Sequence, residues 1–237
     1  MEMFGTVWWT ALGTIIVANI LLSGDNAVVI AMAARSLPAQ QQKKAIFIGS
    51  AAAIVMRIVL TLVAAKLLSI PWLKTIGALL LLYIGITLLA DSDDDEGHAG
   101  QGHGSMAAAI RTILIADLVM SLDNVIAVAA AAHGDIPLLV IGLATSIPLV
   151  IFGSTLLLKV IDKFPVIVWA GAALLGFIAG EILEEDPALA NFMQQLTTSM
   201  DVSHGTLAKI FGIAGAIIVV GVGFYLRQRN DSETKAA

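Results

Sequence analysis

Ser23-Gly24-Asp25-Asn26 stands inside an apolar run covering residues 7–34, and Ser121-Leu122-Asp123-Asn124 stands inside a second run, 106–132. An ionised aspartate near the middle of a hydrophobic span costs several kcal/mol unless it lines a wet cavity or binds a cation. Both aspartates are followed by asparagine and preceded two positions earlier by serine. They read as two halves of one ion site, carried on helices long enough to cross a bilayer.

The remainder of the chain agrees with that reading. Of its 237 residues, 58% are hydrophobic and only 13% charged, and the mean hydropathy is +0.92. A soluble domain carries roughly a quarter charged residues, so an all-α polytopic membrane protein is expected. Apolar runs of spanning length occur at 7–34, 45–69, 72–90, 106–132, 136–160, 164–183 and 206–226. These seven expected transmembrane helices leave no room for a separate soluble domain. The net charge of −5 gathers in short loops and gives no basis for binding nucleic acid. With no cysteine, thiolate metal sites and disulfides are excluded. The chain opens without a basic segment and cleavage site, so the first run is expected to be a span and not a removed signal.

Trp8, Trp9, Trp72, Trp169 and Tyr225 sit near run ends, where interfacial aromatics are common. Pro148 falls inside the fifth run and is expected to kink it. The first and fourth runs, about 27 residues or roughly 40 Å as straight helix, are expected to tilt or break. Gly24, a weak helix former, favours a break in the first, and the Ser23, Asp25 and Asn26 side chains can satisfy backbone groups freed there. Breaks in both runs would hold the ion.

The two motifs belong to a longer repeat. Asn19, Ser23, Asp25 and Asn26 recur 98 positions later as Asp117, Ser121, Asp123 and Asn124. Gly49 and Lys66 recur 93 positions on as Gly142 and Lys159, and Pro71 and Gly77 recur 94 on as Pro165 and Gly171. This divides the chain into a first three-helix repeat (1–90), an acidic, His-containing loop (91–105) and a second repeat (106–183). An acidic loop (184–205) and a seventh helix with a basic tail (206–237) follow. Three spans per unit make the two copies inverted, a recurring transporter plan. Arg35, Lys43, Lys44, Arg111, Lys159, Lys163, Arg227, Arg229 and Lys235 fall at one set of ends, against Lys66, Lys74 and Lys209 at the other. The positive-inside rule then places the N-terminus outside and the C-terminus in the cytoplasm. On that orientation residues 91–103, with His98 and His103, face the cytoplasm.

Asp117, Ser121 and Asn124 are spaced to share one helical face, as are Asn19, Ser23 and Asn26. Asp123 joins that face only if the backbone departs from ideal helix. Converged, these carboxylates and carboxamides offer hard oxygen ligands suited to Mg²⁺, Ca²⁺ or Mn²⁺, and the Met120 thioether would tilt preference towards Mn²⁺. Arg57 is the other charge deep in a span. It reads either as a structural salt-bridge partner of an aspartate or as a counter-ion that holds the site once the metal has gone. Glu181 ends the sixth run and reads as a site ligand, a vestibule carboxylate or an interfacial charge, the last two together being favoured. Gly176 and Gly180 form a GxxxG pair serving internal packing or a dimer seam. Gly212, Gly215, Gly221 and Gly223 make the seventh run another candidate interface, so a homodimer is open. No nucleophile–base pair, nucleotide loop or haem ligation pattern occurs, so no enzyme and no prosthetic group is expected.

At Ser23-Gly24-Asp25-Asn26-Ala27-Val28-Val29-Ile30-Ala31 and at Asp117-Leu-Val-Met-Ser121-Leu-Asp123-Asn124-Val125-Ile126-Ala127 the chain resembles the TerC family of bacterial integral membrane proteins. The resemblance extends over the first six runs. It implies an inner-membrane protein associated with tellurium resistance and with export of manganese, kin to lysine-exporter-like transporters. It also implies Asp25, Asn26, Asp117, Asp123 and Asn124 as metal positions, with Asn19 standing where the second copy has Asp117. The expected function is therefore export of a divalent cation, Mn²⁺ first, by alternating access in which the two repeats rock about the ion. A lysine-exporter-like carrier of a small organic solute is one alternative. A membrane scaffold aiding secretion or metal loading of exported proteins is the other.

Overall fold

The computed structural model describes residues 5–21, 24–90, 105–132 and 135–236, without the side chains of residues 19–21, 64–65, 123, 126–127 and 230–236. The described residues form helices joined by short turns, without strands. In chain order the helices are α1 (Thr6–Leu21), α2 (Gly24–Arg35), α3 (Ala39–Leu67), α4 (Leu73–Ala90), α5 (Met106–Ala132), α6 (Ile136–Ala144), α7 (Ser146–Lys163), α8 (Val166–Glu184), α9 (Ala190–Met200) and α10 (His204–Ala236). Among the described residues five segments are long and apolar enough to span a membrane: Ala39–Val63, Leu73–Ala90, Ile136–Lys163, Val166–Glu184 and His204–Arg229. The chain is thus a polytopic membrane protein. The apolar part of α1, Thr6–Ala18, is shorter than a span, and α5 carries Arg111, Asp117 and Asp123.

Two sequence expectations are corrected. The fourth run does not break: α5 is one helix of 27 residues through Asp123. Leu122 stands where the first motif has Gly24, and leucine favours helix by nearly 1 kcal/mol over glycine. The polar side chains also find partners within the helix, Ser121 on Asp117 and Asn124 on the Met120 carbonyl. The fifth run, expected to kink at Pro148, divides earlier, at Thr145. A proline ring clashes with the carbonyl four residues back, here Ala144, the last residue of α6. The hydroxyls of Thr145 and Ser146 donate to the Gly142 and Leu143 carbonyls beside the interruption.

The chain forms two compact units, each drawing on both sequence halves: Met1–Leu68 with Ser105–Lys159, and Ser69–Gly104 with Val160–Ala237. In the first unit α3 and α5 run parallel. Ala45 packs with Ala109, Gly49 lies against Ile113, Arg57 reaches Asp117, and Leu60 packs with Val125. The α1–α2 and α6–α7 segments are likewise parallel, with Ile15 against Gly142 and Ala27 against Gly153. A Cβ at Gly142 would lie 2.5 Å from Cγ2 of Ile15, so the approach needs glycine. Trp8, Leu12 and Ile15 of α1 form a core with Leu138, Leu139 and Leu143 of α6 and Val128 of α5.

In the second unit α8 and α10 cross at Gly176 and Gly180, directly on the backbone of Gly215 and Phe211. The GxxxG face therefore serves internal packing, and the seventh run lies against its own chain. Gly85 of α4 packs on Leu175 and Val219, and Leu89 on Gly223. The Trp169 ring lies 6.1 Å from Phe224 and carries the Arg227 guanidinium 5.4 Å above its centroid.

The connection after α8 is tied down by its acids. Asp186, 1% exposed, accepts from the amides of Trp72 (3.0 Å), Thr75 (2.8 Å) and Ala188 (2.7 Å) and from the Thr75 hydroxyl. Lys74 pairs with Glu185 at 2.7 Å, and His204 bridges Glu184 (2.7 Å) and Gln194 (3.1 Å). Burial raises the Asp186 pKa, but the three amides and the hydroxyl outweigh it and hold the carboxyl below its ordinary 3.8. A depressed native value means that the contribution of Asp186 is complete above the ordinary carboxylate range and is lost as pH falls through the native one. Asp186→Asn is expected to lose about 2 kcal/mol at pH 7. The gap between the two unfolding midpoints in detergent should stay constant down to about pH 5 and close in stronger acid. A gap that widens on acidification would contradict this.

Candidate ion site

Three helices of the first unit bring charge together, Arg57 from the span Ala39–Val63. Asp117 and Ser121 occupy one face of α5, one turn apart, and both are buried. The Ser121 hydroxyl lies 3.3 Å from Asp117 Oδ2. From α3, Arg57 (4% exposed) donates through Nε to Ser121 Oγ at 2.9 Å and forms a salt bridge with Asp117 Oδ1. One turn further along α3, Thr61 donates to the Arg57 carbonyl. Asp25 lies in the first turn of α2 and is half-buried. Its Oδ1 accepts the Asn26 amide hydrogen at 2.8 Å. Asp25 is within electrostatic reach of both Arg57 and Asp117. Two carboxylates and one guanidinium leave this trio one net negative charge.

The other expected positions divide. Asn26 is buried beside Asp25. Asn124 is half-buried and its carboxamide donates to the Met120 carbonyl at 3.1 Å, so Met120 meets it through the backbone. The side chains of Asn19 and Asp123, the whole of Ser23, and the acidic loop 91–103 lie outside the described residues. Glu181 is half-buried on α8 of the second unit. Among the described residues no three Asp, Glu or His side chains converge closely enough to hold a metal ion. Among the described residues the buried hydroxyls of Ser50 on α3 and Ser154 on α7 have no hydrogen-bond partner. Sequence reading passes over them because lone serines in apolar helices are ordinary.

Residues 4–231 match the family described as integral membrane protein TerC family. The chain belongs to the TerC family. It is 44% identical over 210 residues to the uncharacterized membrane protein YjbE of Bacillus subtilis (strain 168), covering 89% of this chain and 92% of that one. The uncharacterized membrane protein YceF of the same organism is 29% identical over 181 residues, covering 73% of this chain and 70% of YceF. The UPF0053 inner membrane protein YoaE of Escherichia coli (strain K12) is 30% identical over 185 residues, 68% of this chain but only 34% of YoaE. No solved structure matches the chain.

Proposed function

We propose that this TerC-family protein exports a divalent cation, Mn²⁺ first, from the cytoplasm across the bacterial inner membrane. The observation that carries the reading is the buried Arg57–Asp117 pair, with Asp25 of the first motif within its electrostatic reach. Intramembrane carboxylates are costly and mark ion paths. Asp25 and Asp117, with Asn26, Asn19, Asp123 and Asn124 on the same two motifs, supply hard oxygen donors for the cargo. The protein moves the ion and does no covalent chemistry.

The packing supports an inverted repeat beneath this site. Ile15 and Ala27 correspond, 98 positions on, to Ile113 and Val125, and Gly49 and Leu60 correspond, 93 on, to Gly142 and Gly153. Ile15 packs on Gly142 as Ile113 packs on Gly49, and Ala27 on Gly153 as Val125 with Leu60. The same two contacts are thus made twice between the halves, each half supplying in one copy the residue that the other half supplies in the second. The parallel course of α3 and α5, with the one span of α4 between them, suits copies of opposite direction. The excess of Lys and Arg places the N-terminus outside and the C-terminus inside.

The test is transport. Purified full-length protein in liposomes should carry Mn²⁺ saturably, and calorimetry should show Mn²⁺ binding that Asp25→Asn removes. Absence of flux and of saturable binding for Mn²⁺, Mg²⁺, Ca²⁺ and Zn²⁺ alike would overturn the reading.

A further inference from the structure

We infer that Arg57 is the resident counter-ion of Asp117, occupying the carboxylate when the cation has left and yielding it when a cation binds. The inference deepens the exporter reading and rests on it.

Packing alone does not call for the pair. The repeat offsets that relate the two halves map Asp117 and Ser121 to Asn19 and Ser23, and Arg57 to Val150. Arg57 of the first repeat meets Asp117 of the second, whereas the positions that the offsets relate to them are the neutral Val150 of the second repeat and Asn19 of the first. The helix contacts flanking this position are nevertheless made at both repeat-related places, Gly49 with Ile113 and Leu60 with Val125, and again Gly142 with Ile15 and Gly153 with Ala27. Val150 is itself buried. Buried ion pairs are commonly no more stabilising than apolar residues of similar volume. The pair thus sits where the fold manages without one, next to the carboxylate that the exporter reading assigns to the ion.

The geometry suits exchange of partners. Arg57 holds Asp117 Oδ1 through its terminal nitrogen while its Nε donates to Ser121 Oγ. Asp117 Oδ2 faces the Ser121 hydroxyl. A cation reaching Asp117 competes with the guanidinium for Oδ1, and Arg57 keeps a hydrogen bond to Ser121 after giving it up. An empty carrier returning through the bilayer with Asp117 bare would carry an uncompensated charge in low dielectric. Arg57 removes the part of that barrier due to Asp117 without a second ion at that carboxylate, and the charge of Asp25 is then the only one left on the trio.

The role predicts a split that a packing role does not. In proteoliposomes, net Mn²⁺ efflux requires return of the empty carrier, whereas exchange of radiolabelled for unlabelled Mn²⁺ at equal concentrations does not. Arg57→Gln should keep exchange while net efflux falls about tenfold or more. The double variant Arg57→Val with Asp117→Asn, which copies the repeat-related residues Val150 and Asn19, should recover net efflux at raised Mn²⁺. Undiminished net efflux in Arg57→Gln overturns the inference. So does equal loss of both fluxes in Arg57→Gln with the double variant inactive, since the pair is then structural. Wild-type vesicles showing neither flux would instead overturn the exporter reading itself.

Discussion

Asp25→Asn is expected to reduce Mn²⁺ export to the rate of protein-free vesicles while leaving the protein folded. Asp117 is already held by Arg57, so Asp25 is the carboxylate of the described trio without a paired arginine. Removing its charge takes the trio from one net negative charge to none, and with it the attraction for a cation in a low-dielectric region. The substitution keeps the shape, and the new carboxamide oxygen can still accept the Asn26 amide that Asp25 accepts at 2.8 Å. Stability should therefore stay within about 1 kcal/mol of wild type, read as the unfolding midpoint in detergent. Asn124→Ala supplies the contrast. That carboxamide bonds to its own helix at Met120, so its loss should slow export only a few-fold. Wild-type export by the Asp25 variant would remove the carboxylate from the mechanism.

The sequence made the membrane class, the paired motifs and the family legible because these rest on composition and local spacing. Five of the seven apolar runs coincide with segments long and apolar enough to span a membrane, and Pro148 marked the interruption of the fifth run to within three residues. Less local features were harder. A break in the fourth run was expected by analogy with Gly24, yet the decisive difference is the single residue Leu122, whose helix propensity outweighs the likeness of the motifs. Arg57 was recognisable as a buried charge, but its choice of Asp117, 60 residues away, depends on how α3 and α5 pack. The clamp of Asp186 on Trp72 and Thr75 was illegible for the same reason, since an acidic loop reads as solvated until its amide partners are known. The glycines of α8 and α10 announced close packing without saying against what. Their meaning emerges only from the crossing of the two helices.

That crossing gives the largest expected loss of stability. A methyl at Gly180 would fall on the Phe211 carbonyl, and one at Gly176 on the Gly215 carbonyl. Both obstacles are backbone, so neither can rotate away, and the helices must separate along the whole contact. Lipid tails are as apolar as the side chains, so close van der Waals packing is what holds such helices together. Gly180→Ala is therefore expected to lower stability by about 3 kcal/mol, seen as a lower unfolding midpoint in detergent. Gly212→Ala should cost less, because its methyl meets the Phe177 ring, a side chain able to shift. Gly221→Ala meets nothing within 4 Å and should be neutral or stabilising by up to about 1 kcal/mol through helix propensity. The ordering of the three variants carries the argument, since propensity alone predicts the same small gain for each. If Gly180→Ala proved as stable as Gly221→Ala, the α8–α10 crossing could not be as close as the backbone contact requires.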